Sequence, residues 1–289
     1  MSDDGRSSVV SGRPRVLVFG ASGLLGSHLV ARLPRSFVTF ATASRGRSPL
    51  TACGVRWLNV TVDVGDADSV ARAIDASEPD IIVNAIGLTP HAPLAADRAA
   101  MDEVNARFPH RLARLADAAA ARVVHVSTDG VFSGTRGGYS ETDRPDPCDE
   151  YGRSKLAGEI GSPHVTVRTS FFGPSPNGRG LIEWLIARPH QTVEGYVDYR
   201  FSGMAAWTVA DFVAAVIARP DLTGLHHLGG DPITKCELLQ AAAAAWQVPI
   251  TIVPTRRTPV DRTLDSRRFF DQIGRTPPSL VEMLSSVSS

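Results

Sequence analysis

Tyr151 and Lys155 stand four positions apart in the stretch Tyr-Gly-Arg-Ser-Lys. On a helix that spacing puts a phenol and an ammonium on one face. A neighbouring ammonium favours the phenolate, which predicts a lowered tyrosine pKa and a hydroxyl usable as an acid or base near neutral pH. A solvated helix face has the same spacing, so the pair alone decides nothing. Two further features accompany it. The run Arg122–Val126 has strand character and leads into Ser127-Thr128-Asp129. Far upstream, Gly20-Ala-Ser-Gly23-Leu-Leu-Gly26 follows the strand-like Val16–Phe19 and opens a helical segment. In that setting Gly20 permits a tight turn, Gly23 lets backbone approach a pyrophosphate, and Gly26 lets the helix pack on the sheet. The helix N-terminus adds free N–H groups and partial positive charge. Together the three features predict carbonyl reduction with a nicotinamide cofactor.

The elements that must position these groups alternate. Arg15–Phe19, Phe37–Thr42, Val55–Val62, Asp80–Asn84, Val123–Val126 and Val165–Arg168 read as strands, short and rich in Val, Ile and Phe. Leu24–Leu33, Asp68–Ala76, Ala96–Ala119 and Tyr151–Gly158 lie between them with helical spacing. The alternation predicts an α/β fold, a Rossmann-type doubly wound parallel sheet, over residues 14–170. After Phe171 the texture changes. Gly173–Gly180 is a loop by composition. Leu181–Ala187, Val209–Ala218 and Cys236–Ala245 look helical, and Val193, Gly224–Leu228 and Ile250–Val253 look like short strands. Residues 171–289 are expected to form a smaller substrate-binding region interleaved with the end of the sheet. Residues 1–13 are polar and read as a disordered leader.

Bulk properties narrow the class. Thirty basic and thirty acidic side chains among 289 residues leave no net charge, which speaks against a nucleic-acid partner. Apolar stretches stop well short of a membrane span. Cys53, Cys148 and Cys236 are odd in number and far apart, as expected of a cytoplasmic chain without a disulfide framework. The histidines show no metal-ligand spacing, so no metal is expected; His226-His227 reads as strand and loop filler. Asn59-Val-Thr61 matches a glycosylation pattern within an expected strand and is read as chance.

The cofactor end can be read further. An NAD site usually carries an acid at the end of the second strand, roughly 20 residues past the glycines. Here that region reads Ala43-Ser44-Arg45-Gly46-Arg47. A hydroxyl and two guanidiniums suit a 2′-phosphate, which favours NADPH over NADH; the rival reading is a pair of solvated arginines. Asp63 is expected to end the third strand, either accepting from an adenine amino group or serving as a turn residue before the next helix. Small residues at Asn84-Ala85-Ile86-Gly87 suit either a wall for a cofactor or a plain turn.

The segments VLVFGASGLLGSHL (16–29), VNAIG (83–87), VNARFPHRLA (104–113), VHVSTDGVFSGTRGGYSETDRPDPCDEYGRSKLAGE (124–159) and VRTSFFG (167–173) resemble the extended short-chain dehydrogenase/reductase family. The nearest branch is the dTDP-4-dehydrorhamnose reductase-like group, and the resemblance covers roughly Arg15 to Leu284. It implies hydride transfer from NAD(P)H to the 4-keto group of a nucleotide-activated 6-deoxysugar. By position it implies a catalytic triad. Thr128 hydrogen-bonds the carbonyl oxygen, Tyr151 donates the proton, and Lys155 depresses the tyrosine pKa and holds the nicotinamide ribose. It also implies cofactor contacts from Gly20, Ser22, Gly23, Leu24, Leu25, Gly26, Asp63, Val64, Ala85, Ile86, Gly87, Ser127 and Thr169. Substrate contacts are implied for Thr89, Asp129, Gly130 and Phe171, with His91 as either a sugar contact or a loop residue. Asn105 is either a structural or a proton-relay residue. Arg168-Thr169-Ser170 is expected near the nicotinamide. Arg200 and Arg262 offer guanidiniums for a diphosphate, with Tyr199 beside them. Gly130 and the Phe171-Phe172 pair depart from the branch's usual aromatic or cysteine and its tryptophan-containing form. Both positions border the sugar, so the substrate stays open where the reaction type does not. Epimerisation or dehydration on the same scaffold is the alternative reading, and a non-catalytic binding subunit a third. A homodimer through two long helices, Ala96–Ala119 among them, is a further expectation.

Overall fold

Runs of Val, Ile, Leu and Phe pair into one sheet. The protein is described by a computed structural model at residues 12–42, 53–90, 92, 94, 96–178 and 180–285. The strands are β1 (Arg15–Phe19), β2 (Val38–Ala41), β3 (Val55–Trp57), β4 (Ile81–Asn84), β5 (Arg122–Thr128), β6 (Val165–Thr169) and β7 (Gly224–Leu228). They lie in the order β3-β2-β1-β4-β5-β6-β7, every neighbouring pair parallel. This is the Rossmann-type order, in which a crevice opens outside the strand ends where the order reverses, between β1 and β4.

Both faces are covered. On one, α1 (Leu24–Arg32) and the helix Ala206–Ile217 bury Leu25, Leu29, Val209 and Val213 against the sheet. On the other, α2 (Ala67–Ser77) and α4 (Phe108–Ala118) enclose Leu17, Ile82, Phe108 and Leu112. Strands sealed on both sides read as unbroken apolar runs rather than alternating ones. The helix expected over Ala96–Ala119 comes in pieces: α3 (Arg98–Asp102), a π-helical turn Glu103–Arg107, then α4. Pro109 has no N–H to donate to the Asn105 carbonyl, so the ladder cannot run through regularly.

Three expectations change. The strand anticipated over Val55–Val62 ends at Trp57, because edge strand β3 finds partners only at Thr39–Ala41 of β2. Asn59 and Asp63 therefore lie in a loop. Arg13, expected in the leader, donates to the carbonyls of Pro34 and Phe37. The rest of the leader, residues 1–11, lies outside the described residues.

The C-terminal part supplies β7 and builds short pairings of its own. Thr192–Tyr196 pairs with Thr251–Thr255. Tyr199–Phe201 is flanked by Ile233–Thr234 and Val260–Arg262. Phe171–Phe172 pairs with Met204–Ala205. The helix Lys235–Ala245 starts with a capping box between Thr234 and Glu237. Among the described residues no helix is long and apolar enough to cross a membrane.

Candidate active site

The glycine turn after β1 is built for close approach. Gly20 has φ +82, and a Cβ there would sit 2.9 Å from the Ala85 carbonyl and the Ile86 nitrogen. At Gly26 a Cβ would fall 2.0 Å from the Gly20 oxygen. The turn is thus wedged against the chain leaving β4. Gly23 caps α1 without a side-chain hydrogen bond to the first turn, which leaves that turn's N–H groups for an anion. Ser22, Leu24 and Leu25 flank this end of α1. Ala85, Ile86 and Gly87 form the facing wall, and a Cβ on Gly87 would lie 4.0 Å from Lys155 Nζ. At the end of β6, Thr169 Oγ1 is buried with no hydrogen-bond partner among the described residues. A cradle of this shape and an orphaned hydroxyl fit a dinucleotide.

At the end of β5, Thr128 is 7% exposed and its Oγ1 accepts from Gly130 N at 3.0 Å. Helix α5 (Glu150–Ala157) runs beside it, capped by Asp149 Oδ1, which accepts from Gly152 N at 2.7 Å. Gly152 is what lets the two approach: a Cβ there would be 2.2 Å from the Gly130 carbonyl oxygen. Tyr151, Lys155 and Glu159 then follow one stripe against β5. Tyr151 faces Thr128 across Gly130, and the threonine hydroxyl favours its phenolate. Lys155 Nζ donates to Val126 O at 2.7 Å. Glu159 Oε1 accepts from Ser127 Oγ at 2.7 Å.

The electrostatics differ from the simple Tyr–Lys expectation. Burial pushes the Tyr151 phenol up to about 12, with the Thr128 hydrogen bond as the leading opposing influence. Lys155 is not among the groups that set it. Burial instead lowers Lys155 to about 8, opposed by Glu159. The ammonium is turned to Val126 rather than to the phenol, so desolvation outweighs the pairing.

Ser127, expected at the cofactor, turns its hydroxyl the other way. Successive strand residues face opposite sides of a sheet, and Ser127 joins a buried network behind the site. Arg168, expected near the nicotinamide, forks onto both Glu159 oxygens at 2.8 and 2.7 Å and contacts His227 Nε2 at 3.3 Å. The His226-His227 pair lies in β7, as strand residues, and both are buried. Asn105, fully buried, donates to Leu88 O at 2.9 Å and Ser154 Oγ at 3.0 Å and accepts from Leu88 N. It staples the segment after β4 to α5.

The crevice around Asp129 is more polar than the sequence suggested. Burial raises the Asp129 carboxyl, with Arg262 and Lys235 opposing. Lys235, missed from sequence, lies 4.3 Å from the Phe201 ring centroid and 5.1 Å from that of Tyr199. Burial lowers its amine and Asp129 opposes. A usable signal existed: Lys155 and Lys235 are the two lysines of a chain whose other strong cations are arginine. Arg262 donates to Cys148 Sγ at 3.4 Å, and its Nε is buried with no partner among the described residues. Gly130 lies against the pair itself; a Cβ would be 3.3 Å from Thr128 Oγ1 and 3.6 Å from the Tyr151 ring.

Other expected residues stand apart. Arg200 is exposed and paired with Asp261 at 3.2 Å. Phe171 is half-buried and packs on the main core. Thr89 is exposed. Asp63 Oδ1 accepts from Gly65 N at 2.8 Å in the turn before α2, which Asp66 caps, and Val64 follows it in the same turn. Ser44, Arg45, Arg47 and His91 lie outside the described residues.

The dTDP-4-dehydrorhamnose reductase of Mycobacterium tuberculosis is 32% identical over 219 residues, which cover 72% of this chain and 66% of that protein. The enzyme of the same name from Salmonella typhimurium is 29% identical over 280 residues, covering 88% and 90%. A crystal structure of dTDP-4-dehydrorhamnose reductase from Bacillus anthracis in complex with NADP shares the fold, with a TM-score of 0.78, 21% identity and coverage of 95% and 98%. The model of the RmlD substrate binding domain matches residues 14–267, and the chain belongs to that family.

Proposed function

We propose that the protein is a cytoplasmic, NADPH-dependent 4-ketoreductase acting on a nucleotide-activated, dTDP-linked 6-deoxysugar. One observation carries the reading: Tyr151 and Thr128 converge on Gly130 at the open end of β5, beside the cofactor cradle. The names of the relatives support the substrate class, and the NADP-bound neighbour supports the cofactor.

When bound, NADPH supplies the hydride to the sugar C4. Tyr151, held protonated by burial, delivers a proton to the carbonyl oxygen. Thr128 stabilises the charge that develops on that oxygen, which lowers the barrier more than it tightens ground-state binding. Lys155, whose Nζ borders the crevice at Gly87, holds a ribose hydroxyl. Residues 171–289 form the substrate-binding region, with Lys235 and Arg262 facing the anionic part of the nucleotide sugar. Arg45, Arg47 and Ser44 favour the 2′-phosphate by residue type. Arg45→Ala should therefore weaken NADPH by the about 1.5–3 kcal/mol of a hydrogen bond to a charged group, and NADH far less.

The deciding experiment incubates a panel of 4-keto nucleotide sugars with NADPH and follows cofactor absorbance and product mass. Oxidation of NADPH with a product heavier by two hydrogens is expected. A retained cofactor and an isomerised product would favour the epimerase reading, for which Asp129, a buried carboxyl with a raised pKa beside Tyr151, offers a second acid–base group. A homodimer is part of this reading, to be checked by sedimentation.

A further inference from the structure

A buried chain of polar contacts lies behind Lys155 that the reaction above does not use. Ile86 N–H donates to Asn84 Oδ1 at 3.1 Å. That fixes the amide and turns Nδ2 toward His125 Nδ1, at 3.1 Å. The reversed amide would set two donors against each other at Ile86. A donor facing Nδ1 makes that nitrogen the acceptor, so the neutral ring carries its proton on Nε2. Nε2 lies 3.5 Å from Lys155 Nζ. Asn84 and His125 are opposite one another in the β4–β5 register, so the sheet itself sets the contact. Both are fully buried and Lys155 is 4% exposed, which leaves little room for water to relieve a mismatched contact.

We propose that Asn84 and His125 are positioning residues for Lys155. They present a fixed Nε2–H to the lysine nitrogen, which gives the ammonium no acceptor on that side, directs its protons to Val126 O and the crevice at Gly87, and favours proton release. Glu159, just past the end of α5, and His125 on β5 are the titratable groups that act on or face Nζ; His110 from α4 acts on His125. Burial keeps His125 neutral, so the donor persists across the working pH range.

The proposal rests on the role given to Lys155 above, but its first two tests need no turnover. Histidine labelled with 15N should report a neutral Nε2–H ring for His125, assigned by its loss in His125→Phe. An Nδ1–H ring in the wild type overturns the proposal with no further variant. Lys155 and Lys235 are the only lysines, so 13Cε-lysine labelling gives two titrating signals, assigned with Lys235→Arg. In Asn84→Asp the carboxylate accepts from both Ile86 N–H and Nδ1–H, which turns the Nε2 lone pair to the ammonium. The Lys155 midpoint should rise by about 1 unit, and the alkaline limb of kcat/KM with it. In a His125→Phe background the same substitution should move Lys155 clearly less. Equal shifts in the two backgrounds would mean that only the new charge acts, and would overturn the proposal. A Lys155 midpoint that moves while the limb stays would count against Lys155 in the reaction and leave the positioning intact.

Discussion

Lys155 Nζ donates to the Val126 carbonyl at 2.7 Å, one residue before the strand turns out toward Thr128 through Ser127. Helix α5 and strand β5 are therefore joined at the lysine. Because burial lowers Lys155 to about 8 and raises Tyr151 to about 12, the two titrate in the reverse of their free order. If turnover needs the ammonium and the phenol, activity falls as pH rises through the lower value. The alkaline limb of kcat/KM is expected near pH 8, and a limb near pH 10 or above would contradict it.

Tyr151→Phe keeps the ring and removes the proton. It should lower kcat by roughly 10²–10⁴ while the NADPH Kd barely changes. Fluorescence titration and single-turnover kinetics separate the two, and wild-type turnover in a folded variant would end the mechanism.

Glu159→Ala strands the Arg168 guanidinium, whose side chain is 3% exposed. Removing one partner of a buried pair costs about 3–5 kcal/mol, read as a lower urea midpoint. The loss of Glu159 also removes the group that holds Lys155 up. In the surviving enzyme the alkaline limb should therefore move to lower pH.

Lys235→Met keeps an apolar stem over Phe201 and Tyr199 but discards the charge. The expected outcome is a KM for the nucleotide sugar raised roughly 10- to 100-fold, as for a lost hydrogen bond to a charged group, with NADPH binding unchanged. Equal KM values would place Lys235 outside the substrate site.

Gly152→Ala tests the close approach of α5 to the turn after β5. A Cβ 2.2 Å from the Gly130 oxygen must push the helix away, at about 1–3 kcal/mol. Thermal unfolding should show the loss, and kcat should fall because Tyr151 retreats from Thr128.

Much of this was legible in the chain. The glycine turn, the hydroxyls ending β5 and the Tyr–Lys spacing are local patterns: each lies within one element and its neighbouring turn, where period and propensity act directly. The alternating apolar runs gave the parallel sheet for the same reason. What the chain could not give was the direction of each pKa. Desolvation depends on what covers Tyr151 and Lys155, and those covers come from β5, from the chain after β4 and from Val260–Arg262. Ser127 and Arg168 were read as site residues because they lie beside site residues in sequence; the pleat sends the Ser127 hydroxyl to the opposite face, and Arg168 is drawn into the same buried network. Lys235 and Gly152 escaped for a related reason. One gains its meaning from Asp129, more than a hundred residues away in sequence, and the other from a carbonyl on a different element. Sequence determined which groups could do chemistry. Tertiary packing decided which way they point, what solvates them, and hence which proton each can hold.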